Sequence, residues 1–138
     1  METFISKDLL KTEAAKFGVE LDEIALDRFD KYAKLLVEWN EKINLTAITE
    51  PIDVLYKHFY DCILFFKNSK IPQNAKIIDV GTGAGFPGLV LKIIRPDLEV
   101  TLLDSLNKRI IFLNDVIEKL KLKGIAAIHS RAEDGGRN

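Results

Sequence analysis

Apolar positions in the first half of the chain recur every three or four residues. Residues 7–17 and 21–41 show this spacing, and the second run places Ile24, Phe29, Tyr32, Leu36 and Trp39 along one stripe. Two amphipathic helices separated at Gly18 are predicted. The stretch NLTAITEP, Asn44 to Pro51, breaks the pattern. Thr49 is then placed to cap a third helix, with Pro51 and Asp53 in its first turn, running to about Lys67. The turn-rich NSKIPQN, Asn68 to Asn74, marks a junction.

From Lys76 the rhythm changes to short apolar runs alternating with helical ones. Strands are predicted at Ile77–Val80, Glu99–Leu103 and Ile125–Ile128, the last after Gly124. Between them lie a helix from Phe86 to Arg95, stopped by Pro96, and a helix over 106–121 with Ile110, Leu113, Ile117 and Leu120 inward. Strands and helices alternating through short connections specify an α/β fold with a parallel sheet and right-handed crossovers. The expected organisation is a helical N-terminal extension, residues 1–75, followed by an α/β domain, residues 76–138. No repeat or low-complexity tract interrupts it.

Composition narrows the class. The 138 residues are 47% apolar and 30% charged, ordinary for a globular protein with a real core. The longest apolar runs, such as Ile63 to Phe66, fall far below the roughly 20 residues that cross a bilayer. The N-terminus has an acid at position 2 and no apolar core segment, so a cytoplasmic protein without membrane attachment is expected. The single cysteine, Cys62, lies in an apolar stretch and reads as packing in a reducing compartment. Residues 1–75 carry 10 basic and 13 acidic groups, residues 76–138 carry 10 and 8. That imbalance permits a polyanionic partner without requiring one.

The chemistry concentrates in IIDVGTGAGFPGLV, residues 77–90, directly after the first strand. Gly81, Gly83 and Gly85 can take positive φ and lack a Cβ, so a ligand can lie on the backbone. Parallel sheets bind ligands at this end of their strands. Asp104 closes the second strand, 21 residues beyond Gly83, where an acid accepts hydrogen bonds from ribose hydroxyls. A nucleoside-containing ligand is implied.

Two ligand classes compete. Gly83, Gly85 and Gly88 spell a G-x-G-x-x-G, which favours NAD or FAD in an oxidoreductase. Against this, a diphosphate needs amide donors and a positive helix end, whereas Pro87 removes an amide and Asp79 adds a negative charge. Both suit S-adenosylmethionine, a cation without phosphate, which a carboxylate attracts. The glycines alternatively serve close packing, and Asp79 alternatively caps a turn or helix. HSRAED, His129 to Asp134, follows the third strand where a loop meets an adenine ring, or is a solvated turn. His129 reads as a surface or turn residue. No metal-binding pattern is present in these motifs.

Taken together, NLTAI (Asn44 to Ile48), KHFYD (Lys57 to Asp61), IIDVGTGAGFPG (Ile77 to Gly88), LLDSLNKR (Leu102 to Arg109) and RAED (Arg131 to Asp134) resemble the RsmG (GidB) family of bacterial ribosomal RNA small subunit methyltransferases. The resemblance implies a Rossmann-like S-adenosylmethionine-dependent fold and methyl transfer to N7 of a guanine in small-subunit (16S) rRNA. It implies that Gly81, Gly83, Gly85 and Phe86 line the cofactor pocket, with Asp79 beside it. Asp104 then holds the ribose, and Ala132 and Glu133 border the adenine. Lys108, Arg109 and Arg131 fall on the RNA side, their alternative being a solvated face. Asn44, His58 and Asp61 are candidates for shaping the substrate side, or structural hydrogen-bonding groups.

Guanine N7 carries a lone pair and no proton, so no general base and no catalytic nucleophile are expected; positioning and exclusion of water supply the acceleration. The implied partner is small-subunit rRNA or the 30S particle, and the family's full-length protein is expected to be monomeric. Family members run past the third strand, so about the last third of the family's chain, including an arginine of the cofactor site, has no counterpart before Asn138. A fragment or clipped chain is therefore expected, with an exposed sheet edge that favours self-association and with catalysis in doubt. A non-catalytic RNA- or ribosome-binding module is the alternative this leaves open.

Overall fold

A computed structural model describes residues 3–130. They divide into two compact units between Lys70 and Ile71.

The first unit is helical. Helix α1 (Lys7–Ala15) begins where the Ser6 hydroxyl accepts from the Leu9 N–H, 3.2 Å, and ends in a turn closed by Gly18 at φ +82°. Helix α2 (Glu23–Asn40) starts at Asp22, whose carboxylate accepts from the Ala25 N–H, 2.8 Å. Its buried stripe is Ala25, Leu26, Phe29, Tyr32, Ala33 and Leu36. Ile24, predicted inward, is 62% exposed, and Trp39 is only partly buried. Five residues separate Ile24 from Phe29, a rotation of about 140° on a helix, so the two cannot share a face.

The buried Asp30 fixes the N-terminal segment. Its Oδ1 accepts from the Phe4 and Ile5 amides at 2.7 and 2.9 Å, and its Oδ2 pairs with Lys34 at 3.3 Å. The predicted third helix is three consecutive pieces: α3 (Pro51–Asp53), a π-helical stretch (Val54–Tyr60) and α4 (Asp61–Phe66). Glu50, not Thr49, occupies the cap position and makes no side-chain cap bond. Pro51 at the first helical position has no amide to cap and carries the φ the helix needs. Phe59 on the π-helical stretch packs against Phe29 and Tyr32, ring centroids 4.9 and 5.4 Å apart. Asn40 Oδ1 accepts from the Leu45 and Thr46 amides at 2.7 and 2.9 Å, and Thr46 Oγ1 meets His58 Nε2 at 2.9 Å.

The second unit is α/β. Strands β1 (Lys76–Val80), β2 (Glu99–Asp104) and β3 (Ile125–His129) form a parallel sheet of order β1-β2-β3. Each lies within one residue of its predicted bounds. Helices α5 (Gly88–Ile94) and α6 (Asn107–Lys119) are the crossovers. The pairings Asp79↔Leu102 and Leu102↔Ala127 put these side chains on one face, against which α5 begins. Ile78, Val80 and Ile128 point to the other face and are 65%, 55% and 47% exposed. On α6 the buried side chains are Ile110, Phe112, Leu113 and Val116; Ile117, predicted inward, is only partly buried.

The division between the units falls inside the predicted junction, residues 68–74, and its place has a visible reason. Arg95 donates to the Ile71 and Pro72 carbonyls at 3.2 and 3.3 Å, and Asp97 accepts from the Asn74 amide at 2.8 Å. Residues predicted as a linker are thereby tied to the sheet unit. Lys92, 3% exposed, closes the end of α5 by donating to the Pro96 and Leu98 carbonyls at 2.7 and 2.5 Å. Among the described residues no helix is long and apolar enough to cross a membrane.

Two outcomes follow from this packing. A Cβ at Gly88 would sit 2.5 Å from Leu102 Cδ2 and 2.8 Å from Asp79 Oδ2, so Gly88→Ala should lower the urea-unfolding free energy by about 1–3 kcal/mol through overpacking. Burial pushes the His58 imidazole below its ordinary value of 6.5, with Asp61 opposing. The neutral ring is therefore favoured in the folded chain, so its contribution is full above the unfolded value and is lost as pH falls below it. Urea midpoints should decline from pH 7 to 5.5, and His58→Gln should flatten that decline.

Candidate active site

The sheet's carboxyl end gathers the residues singled out by sequence. The chain leaves β1 at Val80 and turns through Gly81, Gly83 and Gly85, at φ +69°, +59° and +99°. These values are open to glycine and strained for other residues. Within this turn the peptide amides point inward. Those of Gly81 and Thr82 donate to the Leu103 carbonyl at 2.9 and 3.0 Å, and those of Gly85 and Phe86 to the Thr82 carbonyl at 3.0 and 3.2 Å. The Gly83 amide donates to Asp104 Oδ2 at 2.8 Å, and the Gly88 amide to Asp79 Oδ2 at 2.9 Å. Pro87 has none to give.

Asp79 is the brace of this turn. The same Oδ2 accepts from the Thr82 hydroxyl at 2.7 Å. The carboxylate thus occupies the amino end of α5, the position that a ligand phosphate would need, and fills it with the protein's own anion. Its Oδ1 has no partner among the described residues and is not buried. The sequence left Asp79 as a ligand neighbour or a cap; its Oδ2 acts as the cap while Oδ1 stays open.

Asp104, at the end of β2, is 2% exposed. Beyond Gly83, it accepts at Oδ1 from the Leu106 amide at 3.0 Å and from Arg109 Nη1 at 3.4 Å. Its backbone carbonyl accepts from the Ser130 amide at 2.9 Å, which draws the end of β3 alongside. The glycine turn, Asp104 and Arg109 are therefore one connected group. Lys108 is exposed beside Arg109 and has no partner among the described residues. Phe86 is partly buried at the far end of the turn.

Sequence reasoning missed one member, Thr82; a second, His129, is the exposed residue that the sequence predicts. Thr82, 3% exposed, links the turn to Asp79; its hydroxyl between two glycines was the available signal. His129 donates from Nε2 to the Ser105 carbonyl at 2.9 Å, steadying the segment after Asp104. Arg131, Ala132 and Glu133 lie outside the described residues. Asn44 and His58 belong to the helical unit: Asn44 is exposed, and His58 is half-buried against Thr46. No group of three or more metal-ligating side chains occurs among the described residues.

The donor set fits a cationic nucleoside. A Cβ placed on Gly81 or Gly83 would meet nothing within 4 Å, so there is open space above the turn. Beside it stand one open carboxylate oxygen on Asp79 and the acceptor at the end of β2. A cleft of about 330 Å³ lined by Glu99, Val100, Thr101, Gly124, Ile125 and Ala126 is at the opposite ends of the strands, away from where such sheets bind ligands.

Comparison with known proteins agrees with this geometry. The family model described as rRNA small subunit methyltransferase G matches residues 25–138. A ribosomal RNA small subunit methyltransferase G of Clostridium perfringens (strain SM101 / Type A) is 58% identical over 130 residues, covering 94% of this chain and 54% of that one. One from Desulforamulus reducens is 55% identical over 128 residues, 93% of this chain and 53% of that one. The chain spans about half the length of the curated relatives it matches. Among solved structures, a protein-L-isoaspartate O-methyltransferase superposes with a TM-score of 0.61 at 12% identity, covering 91% of this chain and 42% of that one, which shows a shared Rossmann-like fold. With its family model matched across most of its length and relatives above half identity, the chain belongs to the rRNA small subunit methyltransferase G family.

Proposed function

We propose that the protein takes part in transfer of a methyl group from S-adenosylmethionine to N7 of a guanine in bacterial small-subunit rRNA, in the cytoplasm where that RNA is assembled into 30S particles. The observation that carries this is the carboxylate of Asp79 seated on the Gly88 amide, 2.9 Å away, where a dinucleotide would place phosphate. With the Gly81, Thr82, Gly83, Gly85 and Phe86 amides also committed to acceptors of the protein itself, a diphosphate finds an anion and few donors. That disfavours the nicotinamide oxidoreductase alternative.

Each residue has a role that needs no proton abstraction. When bound, the cofactor supplies an electrophilic methyl group on a sulfonium. Asp104 would accept from the ribose hydroxyls, exchanging the Gly83 amide or the longer Arg109 contact for them. Asp79 Oδ1 would offset cofactor charge, and the bare faces of Gly81 and Gly83 would let the nucleoside approach the backbone. Phe86 would close the far side. Arg109, released from Asp104, and the exposed Lys108 would meet RNA phosphate. In the helical unit the exposed Asn44 amide would offer a base-edge contact, with His58 holding its loop through Thr46. Guanine N7 needs only in-line alignment and a dry approach, so orientation carries the chemistry.

The test is transfer of labelled methyl from S-adenosylmethionine to small-subunit particles lacking the modification, with the Clostridium perfringens relative run alongside. Label at a guanine N7 is expected. Asp104→Asn should weaken S-adenosylhomocysteine binding at least tenfold, since a charge-assisted acceptor is worth about 1.5–3 kcal/mol. A folded protein that takes up the particle but transfers nothing, while the relative does, would replace catalysis with a binding role.

A further inference from the structure

We infer that the end of α1 and the face of the π-helical stretch and α4 opposite it form a docking surface for single-stranded RNA. This rests on the proposal that RNA is the substrate. Phe17, just past α1, is 41% exposed, and its ring lies 6.1 Å from that of Tyr60 at 56°. Tyr60 in turn meets Tyr56 edge to face, 5.6 Å apart. The Lys67 ammonium stands 4.4 Å from the centre of the Phe17 ring. Three rings and a cation thus make one strip at the surface of the helical unit, outside its core.

Its charge favours an anion. Glu13, the carboxylate that reaches Tyr56, already pairs with Lys16 at 3.1 Å and accepts from the Tyr56 hydroxyl at 3.4 Å. Among the described residues Lys67 has the ring as its only partner, and Lys70, exposed three residues on, has none. A phosphate is a stronger partner for an ammonium than a benzene ring. A nucleotide strand can draw Lys67 onto its backbone and so uncover the Phe17 face for a base. Flat π-faces flanked by lysines are the pattern that holds unpaired strands, and a duplex, whose base faces are hidden, cannot use them.

The experiment is fluorescence anisotropy of a labelled 12-nucleotide oligouridine and of a 12-base-pair RNA duplex, titrated with the whole chain at several salt concentrations. The single strand should bind more tightly. Phe17→Ala should weaken it roughly five- to hundredfold, within the range for loss of one stacked base, while Phe17→Trp should retain it. Lys67→Met should weaken it and lower the slope of log affinity against log salt by about 0.7. Circular dichroism and S-adenosylhomocysteine binding should be unchanged in all three. If Phe17→Ala and Lys67→Met bind the strand as the parent does, this surface is excluded and the RNA reading stands. A parent that binds S-adenosylhomocysteine but neither RNA overturns the RNA reading, and this surface with it.

Discussion

The carboxylate of Asp79 is the constraint on which the rest of the site depends. One of its oxygens holds both the Thr82 hydroxyl, at 2.7 Å, and the Gly88 amide, at 2.9 Å, and so ties the first strand, the glycine turn and the start of α5 into one unit. At the start of α5 the Leu89 amide reaches the Gly85 carbonyl at 2.8 Å, whereas the Gly88 amide turns to the Asp79 side chain. Meeting that amide with an aspartate supplies the negative charge that the helix end favours. It also decides what cannot bind there.

The closeness of this arrangement depends on Gly88. With Leu102 and Asp79 both within 3 Å of where a Cβ would stand, the helix can approach the sheet only because no side chain intervenes. The third glycine of the apparent dinucleotide fingerprint is thus a packing residue. Gly81 and Gly83 differ: their conformations need glycine, and the space above them is open. Asp104 closes the group by accepting from the Gly83 amide, so the two acids hold the turn from opposite ends. What remains outward is bare backbone and carboxylate oxygen, a surface suited to a neutral or cationic nucleoside.

Much of this was legible in the sequence. The change from three-and-four spacing to short apolar runs located all three strands, because strand length and apolar content are local properties. The alternation Asp79, Gly81, Gly83, Gly85 located the turn, since only glycine makes such φ values readily. The direction of the amides was not legible: whether the Gly83 and Gly88 N–H groups face a ligand or an aspartate is set by three-dimensional closure. Ile24 misled because apolar character alone does not fix helical phase. The reach of Arg95 to Ile71 and Pro72, which ties the second half of the predicted junction to the sheet unit, joins residues 24 and 23 positions apart. The buried partnership of Asp30 with the Phe4 and Ile5 amides was equally invisible, as no spacing rule connects an acid to backbone so distant in the chain.

The central claim is that the turn rejects a diphosphate and accepts an S-adenosyl nucleoside bearing an ammonium group because its own carboxylate fills the helix end. Paired calorimetric titrations with S-adenosylhomocysteine and with NAD, on the protein and on Asp79→Asn, test it most directly. Binding of S-adenosylhomocysteine with no detectable NAD is predicted, together with a weakening of the former when the charge is removed. Saturable NAD binding by the unmodified protein, with S-adenosylhomocysteine excluded, would contradict the account.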